Sequence, residues 1–275
     1  MPRTAALLVF LIAWLGTPQP GLTEESENKA TPWKRAGLNL GVFFAGTNSS
    51  VSIGLGGLGV SVDVEDALGL ETTTSAGRID GFWRFTENKR HRVDFTWFAL
   101  RRDGLGVLER DIQIGDQTYP AGSTVNSSLD FDIYKSTYSY SFIQDDRFDL
   151  AGSVGLYVAP ISFSISSTSG LVPSESADVT APLPVIGLRM DFAITPKWFI
   201  RASTEAFYLE IDDYRGTILD FRGAIEYDAF KHVGFGLGFD ILSVSVEARE
   251  NTDIIDLDFN GQVDFDYAGL QAYVK

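Results

Sequence analysis

The chain has 275 residues, of which 44% are hydrophobic and 13% aromatic, with 27 Gly and no Cys. At about 150 residues per ordinary domain, that length admits one or two domains or a single large β-architecture, and the missing Cys excludes disulfides, Cys-ligated metal and a Cys nucleophile. Lys and Arg total 22 against 37 Asp and Glu, a formal charge of −15; no net positive field draws in phosphates, so nucleic acid is excluded as a partner.

Arg3 precedes an apolar run from Ala5 to Leu15, and small or turn-forming residues follow from Gly16 to Thr23. A positive start, a short apolar core and a small-residue exit are the three parts of a secretory signal peptide. The run is too short for a membrane helix, which needs about 20 apolar residues. Residues 1–23 are therefore expected to be a cleaved signal, residues 24–35 a periplasmic segment and residues 36–275 the folded domain. No Cys is present to carry a lipid anchor.

Beyond residue 30 the sequence alternates apolar and polar residues with a period of two, which places each set on one face of a strand. Ten strands follow, near 37–47, 73–86, 91–103, 125–142, 148–166, 179–194, 197–212, 216–228, 232–248 and 255–274. Short turns separate them at Glu87–Arg90, Gln144–Arg147, Thr195–Lys197 and Asp228–Lys231. Connections on the other side are mostly longer: 47–73, 103–124, 167–179 and 248–253, with 212–216 a short exception. A phase slip at Gly56-Gly57 and the run Val107–Ile114 each leave room for extra strands, so the count is bounded by eight and twelve.

One face of these strands carries Arg78, Asp80, Arg84, Arg92, Asp94, Lys135, Arg189, Asp191, Arg201, Glu205, Asp220, Arg222, Glu226, Asp240, Asp264 and Asp266. The other is apolar, and Trp83, Trp97, Tyr138, Tyr140, Trp198, Tyr208, Tyr227, Tyr267 and Tyr273 mark it as a surface with aromatic residues at two membrane interfaces. A soluble sandwich would bury the apolar faces against each other and set the charges in water. Aromatic girdles, strands long enough to cross hydrocarbon when tilted, and loops of unequal length on the two sides favour an antiparallel transmembrane β-barrel.

The stretch Val62–Leu70 (VDVEDALGL), followed by Arg78-Ile79-Asp80 and His91-Arg92-Val93-Asp94-Phe95, together with the signal and the strand pattern, resembles small bacterial outer-membrane β-barrel proteins. The resemblance implies residence in the bacterial outer membrane, contact with its lipid and lipopolysaccharide, and insertion by the barrel-assembly machinery. Such chains usually end on an aromatic residue, whereas this one ends Ala272-Tyr273-Val274-Lys275; Tyr273 is the substitute, or the last residues run past the final strand.

In so narrow a barrel, ions of both signs must pair, because an uncompensated buried charge costs several kcal/mol. The expected function is thus structural, or a narrow conduit for ions or small solutes, with the lumen crossed by salt bridges. A selective pore lined by hydrated charge is the alternative. Gly234, Gly236 and Gly238 offer an inward face without side chains, read either as easy sheet curvature or as room for a neighbour. A lipid- or peptide-hydrolysing enzyme is the other class. The only two His, His91 and His232, lie beside the short turns, far from an extracellular site, so no catalytic residue, cofactor or protein-held metal is assigned. Divalent cations are a candidate partner at two acidic loops, one with Asp63, Glu65, Asp66 and Glu71, the other with Glu247, Glu250, Asp253, Asp256 and Asp258.

Overall fold

The computed structural model describes residues 32–53, 60–114, 117–211, 214–248 and 261–275. The signal-peptide reading falls outside these residues, as do residues 24–31 of the N-terminal segment and Glu250, Asp253, Asp256 and Asp258 of the second acidic loop.

Strand β1 (Ala36–Ile53) is followed by a short β2 (Val60–Asp63) and a single helical turn, α1 (Val64–Leu68). Next come β3 (Thr73–Arg84), β4 (His91–Val107), a small hairpin of β5 (Ile112–Ile114) and β6 (Gln117–Tyr119), β7 (Thr124–Gln144) and β8 (Phe148–Ser167). The chain then runs through β9 (Glu175–Ala193), β10 (Trp198–Ile211), β11 (Tyr214–Tyr227), β12 (Phe235–Ala248) and β13 (Gly261–Val274). Ten of these form one antiparallel sheet in chain order, which closes where β13 pairs with β1 from Leu40↔Val274 to Ile53↔Gly261. Closure leaves no lipid-facing edge, the condition for a sheet to sit in hydrocarbon. The ten strands match the sequence reading to within a few residues at most ends. The phase slip at Gly56-Gly57 lies outside the described residues; beside it β2 pairs with the top of β1, from Ser50↔Asp63 to Ile53↔Val60, and does not span the sheet. Likewise β5 and β6 pair with each other alone.

Alternation runs the full length of the strands, but its polarity inverts partway up. On β7 the outward side chains are Tyr140, Tyr138 and Tyr134 in the lower part and Asp132, Asp130 and Ser128 above, while the inward ones are Ser141, Ser139, Thr137 and Lys135 below and Ile133, Phe131 and Leu129 above. On β4 the inward series passes from Arg92 and Thr96 to Phe98 and Leu100, and the outward one from Val93, Phe95 and Trp97 to Arg101 and Asp103. The physical cause is the change of solvent along the strand. Lipid demands apolar side chains outside the lower part, whereas above the bilayer the wall faces water and its interior packs as a soluble core does.

That inversion corrects part of the sequence reading. On β13, Phe265, Tyr267, Gln271 and Tyr273 are the buried, inward residues, so Tyr267 and Tyr273 are not interface aromatics. Asp264 and Asp266 therefore face outward, next to Ser50 and Asn48 of β1, and do not belong to a charge network inside the barrel. The rule that sets aromatic residues toward lipid and carboxylates inward fails for Tyr267, Asp264 and Asp266, where the strand has left the hydrocarbon; Tyr273, lower down, is inward by strand parity, with Leu270 and Val274 outward.

Candidate functional site

The barrel interior is filled in layers. At the short-turn end Trp33 is 3% exposed, packs its ring against Phe199 and donates its Nε1–H to the Asp145 carbonyl at 2.8 Å. Residues 32–35 therefore act as a stopper. Lys34 and Lys275 clamp it by reaching Asp228 at 2.8 and 2.9 Å. Burial by itself raises the Asp228 carboxyl, but the hydrogen bonds and charges of the two lysines outweigh it and hold the group below its ordinary value. A carboxyl depressed in the folded state stabilises fully above its unfolded-state pKa, and that contribution disappears as pH falls through the folded one. Acidification below the ordinary carboxylate range should thus lower the amide-exchange protection of residues 32–36, and Asp228→Asn should abolish that dependence. Equal pH dependence in both proteins would remove the clamp from the account.

Above the stopper lies a layer of ions. Asp191, 1% exposed, accepts from Arg189 at 2.5 Å, Arg84 at 3.0 Å and Arg92 at 3.1 Å, with Arg201 at 3.6 Å. Asp149 takes Arg84 at 2.5 Å and Arg189 at 3.3 Å. Arg92 also pairs with Asp94, and Arg201 with Glu226 at 2.8 Å; Glu226 further accepts from Lys275 and from the Tyr273 hydroxyl at 2.8 Å. Higher up, Asp80 receives both amino groups of Arg222 at 2.8 Å, and Arg78 at 3.2 Å joins it to Asp240, which Arg78 reaches at 2.5 Å. Lys135 binds Glu205 and Asp220, the latter at 3.0 Å, with the Tyr157 hydroxyl between the two carboxylates. A cavity of about 100 Å³ lies among Arg92, Arg189, Arg201, Arg222, Glu205 and Glu226. At about 10–15 Å³ each it has room for several waters.

A third layer closes the top. Phe43, Phe98 and Tyr267 meet edge to face at 5.4–5.9 Å, Phe131 stacks on Phe265 at 4.3 Å, and Leu183, Val185, Ile218 and Leu242 complete one cluster from the opposite wall. The Arg78 guanidinium lies 4.7 Å from the Phe98 ring centre, coupling the ionic layer to the aromatic one. Over this cluster α1 enters the barrel mouth. Glu65 accepts from the Ser49 N–H at 2.8 Å and pairs with Arg102, whose other donors go to Thr47 at 2.8 Å and Ser49 at 2.7 Å.

All the charged residues expected in the lumen except Asp264 and Asp266 lie in these layers. Of the expected interface aromatics, Trp83, Tyr138, Tyr140, Trp198 and Tyr227 ring the periplasmic side, where Tyr138 also bonds His91 at 2.7 Å. Trp97 and Tyr208 face outward nearer the top of the apolar band. Glu65 is withdrawn from the first candidate cation loop, because its carboxylate is committed to Arg102 and Ser49. Among the described residues no group of three His, Cys, Asp or Glu is placed to hold a metal. Sequence reasoning missed the apolar layer, Arg102 and Trp33. The signal for the first was present in the inward series Leu129, Phe131, Ile133 beside the outward Asp130 and Asp132. Gly236 is the space for a neighbour: a Cβ there would stand 2.1 Å from the Tyr273 ring, so close approach rather than curvature explains that glycine.

No family model matches the chain, and no curated protein matches it. Solved structures do. The outer membrane protease OmpT from Escherichia coli is 11% identical, over 87% of this chain and 95% of that one, with a TM-score of 0.47. Ail, the attachment invasion locus protein of Yersinia pestis, in complex with the heparin analogue sucrose octasulfate, is 13% identical over 87% and 99%, with a TM-score of 0.37. The P. putida toluene transporter TodX is 10% identical over 87% and 89%, with a TM-score of 0.33. At such identities the likeness concerns the fold.

Proposed function

We propose that this outer-membrane β-barrel works with its lumen shut, as a structural barrel that presents its outer wall and extracellular loops and conducts no solute. The observation that carries this reading is the series of three seals: the Trp33 stopper, the paired ions around Asp191 and Asp80, and the aromatic cluster capped by α1. A hydrated pore needs charge exposed to water along its length, whereas Phe43, Leu100 and Phe98 are at most 2% exposed. A narrow conduit would require at least the aromatic layer to move.

Purified protein in planar bilayers should show no stable steps. Because the seals act in series, Arg222→Ala alone should stay closed, while adding Phe98→Ala, Tyr267→Ala and Trp33→Ala, so that each seal is opened, should produce conductance. Large stable steps from the unaltered protein would sink the proposal, as would a silent quadruple variant that remains folded. The same reading makes the protein non-enzymatic. His91 is held by Tyr138 on the girdle beside the short turns, and the interior carboxylates Asp149, Asp191, Asp220 and Glu226 are each paired with Arg or Lys.

A further inference from the structure

The ions of the upper lumen do not balance. Arg78 pairs with Asp80 and Asp240, Arg222 with Asp80, and Lys135 with Glu205 and Asp220, so three cations meet four carboxylates in this connected group. The phenols Tyr157 and Tyr267, on β8 and β13, stand beside it and add no charge. Asp220 is 4% exposed and Asp240 1%; neither borders the cavity below, and the aromatic cluster closes the space above. One negative charge is therefore left over where water is scarce, and an uncompensated charge is costly in such a place.

Two oxygens mark where the excess sits. Asp80 spends its carboxylate on Arg78, Arg222 and the Thr96 hydroxyl, while Glu205 holds Lys135 and Tyr157 and opens onto the cavity. By contrast, Asp220 accepts from Lys135 and Tyr157, and Asp240 from Arg78, through Oδ2. The Oδ1 atoms of both are buried and receive no donor. Register explains why these two meet. Arg222 of β11 stands opposite Asp240 of β12, so Asp220 is the diagonal neighbour of Asp240 on the same inward face. Their carboxyl groups come within hydrogen-bond reach of each other. Two carboxylates so placed cannot both stay ionised, since like charges in contact repel strongly in a dry site. A water donating to both oxygens would leave the extra charge in place. A metal ion would stand among cations, and among the described residues no group of three His, Cys, Asp or Glu is placed to hold one.

From the count and the geometry together we infer that Asp220 and Asp240 bind one proton between them at neutral pH, the Oδ1 of one donating to the Oδ1 of the other. The proton belongs to the pair rather than to either residue. It makes the upper layer neutral, and it is a part of the seal that no other side chain supplies. The inference rests on this layer being shut from bulk water. Its tests read protonation and stability rather than conductance, so they fail separately from the closed-lumen reading.

The full-length mature barrel, folded in detergent at neutral pH, should show the infrared carbonyl stretch of a buried, protonated carboxyl group. That band should be absent from Asp220→Asn and from Asp240→Asn. Urea unfolding supplies the second reading. An amide at either position donates to the remaining carboxylate as the shared proton does, so each single variant should keep the parent's midpoint or exceed it. The advantage should widen as pH rises from about 5 to about 8, because the folded parent there holds a proton that unfolded carboxyls have released above about pH 4. The double variant should unfold at lower urea than either single one, since three cations then face two carboxylates. A parent without the band, a band that persists in both single variants, or single variants that fail to fold or unfold at lower urea than the parent overturns the inference.

Discussion

Asp191→Ala should cost about 3–5 kcal/mol, enough to empty the folded state of a marginally stable barrel, because it removes the charge on which four guanidinium groups converge. Arg84, Arg92, Arg189 and Arg201 all lie within 3.6 Å of its carboxylate, and Asp191 itself is 1% exposed. Asp149, Asp94 and Glu226 would remain for four cations in a space closed from bulk water below by Trp33 and above by the aromatic cluster. Asp191→Asn keeps the shape and should fail in the same direction, which separates lost charge from lost packing. By contrast, Arg101→Ala removes an ion pair of 2.8 Å with Asp132 in which Arg101 is 49% exposed, and should change stability by about 1 kcal/mol or less. Urea unfolding in detergent, read by the gel shift between boiled and unboiled protein, measures both. A folded Asp191→Ala barrel within about 1 kcal/mol of the parent would show that the lumen is wet enough to screen these charges.

Arg102→Ala is expected to lose a similar amount, about 3–5 kcal/mol, and to release α1 from the barrel mouth. The Arg102 side chain is fully buried and holds Glu65, Thr47 and Ser49 together; without it the buried Glu65 carboxylate keeps only Ser49 as donor. The segment from β2 to β3 would then become a preferred site of proteolysis. Replacing both partners at once, Arg102→Met with Glu65→Leu, should restore most of the loss, since an apolar pair of similar volume avoids desolvating two ions. If the double variant were cleaved as readily as Arg102→Ala, α1 would owe its place to the hydrogen bonds of this pair rather than to the apolar contacts of Leu68 and Leu70.

The two cases differ in how far the residues announced them. Asp191 sits two positions from Arg189 in an alternating strand, and Arg84 and Arg92 flank a short turn, so their common inward direction follows from period two alone. Nothing local marks Arg102. It belongs to the run Leu100-Arg101-Arg102-Asp103, at the height where outward and inward positions exchange polarity, and its partner comes from a helical turn 37 residues earlier. Tyr267 is misplaced because an aromatic ring suits a lipid interface and a packed lumen equally well and its height above the hydrocarbon decides; Tyr273, low in the barrel, points inward because it shares the parity of Tyr267, and Leu270 and Val274 take the outward positions there.

By itself the amino-acid sequence determined the number of spanning strands, their approximate ends, the short-turn side and the fact that two faces alternate, because side-chain direction along a strand is a local property of the backbone. The tertiary structure alone decided which face is inside at each height and that the lumen is stoppered by Trp33 and roofed by α1. Those outcomes depend on closure of β13 onto β1 and on the registers between strands, which bring together residues far apart in the chain and set each against lipid, water or a neighbouring side chain.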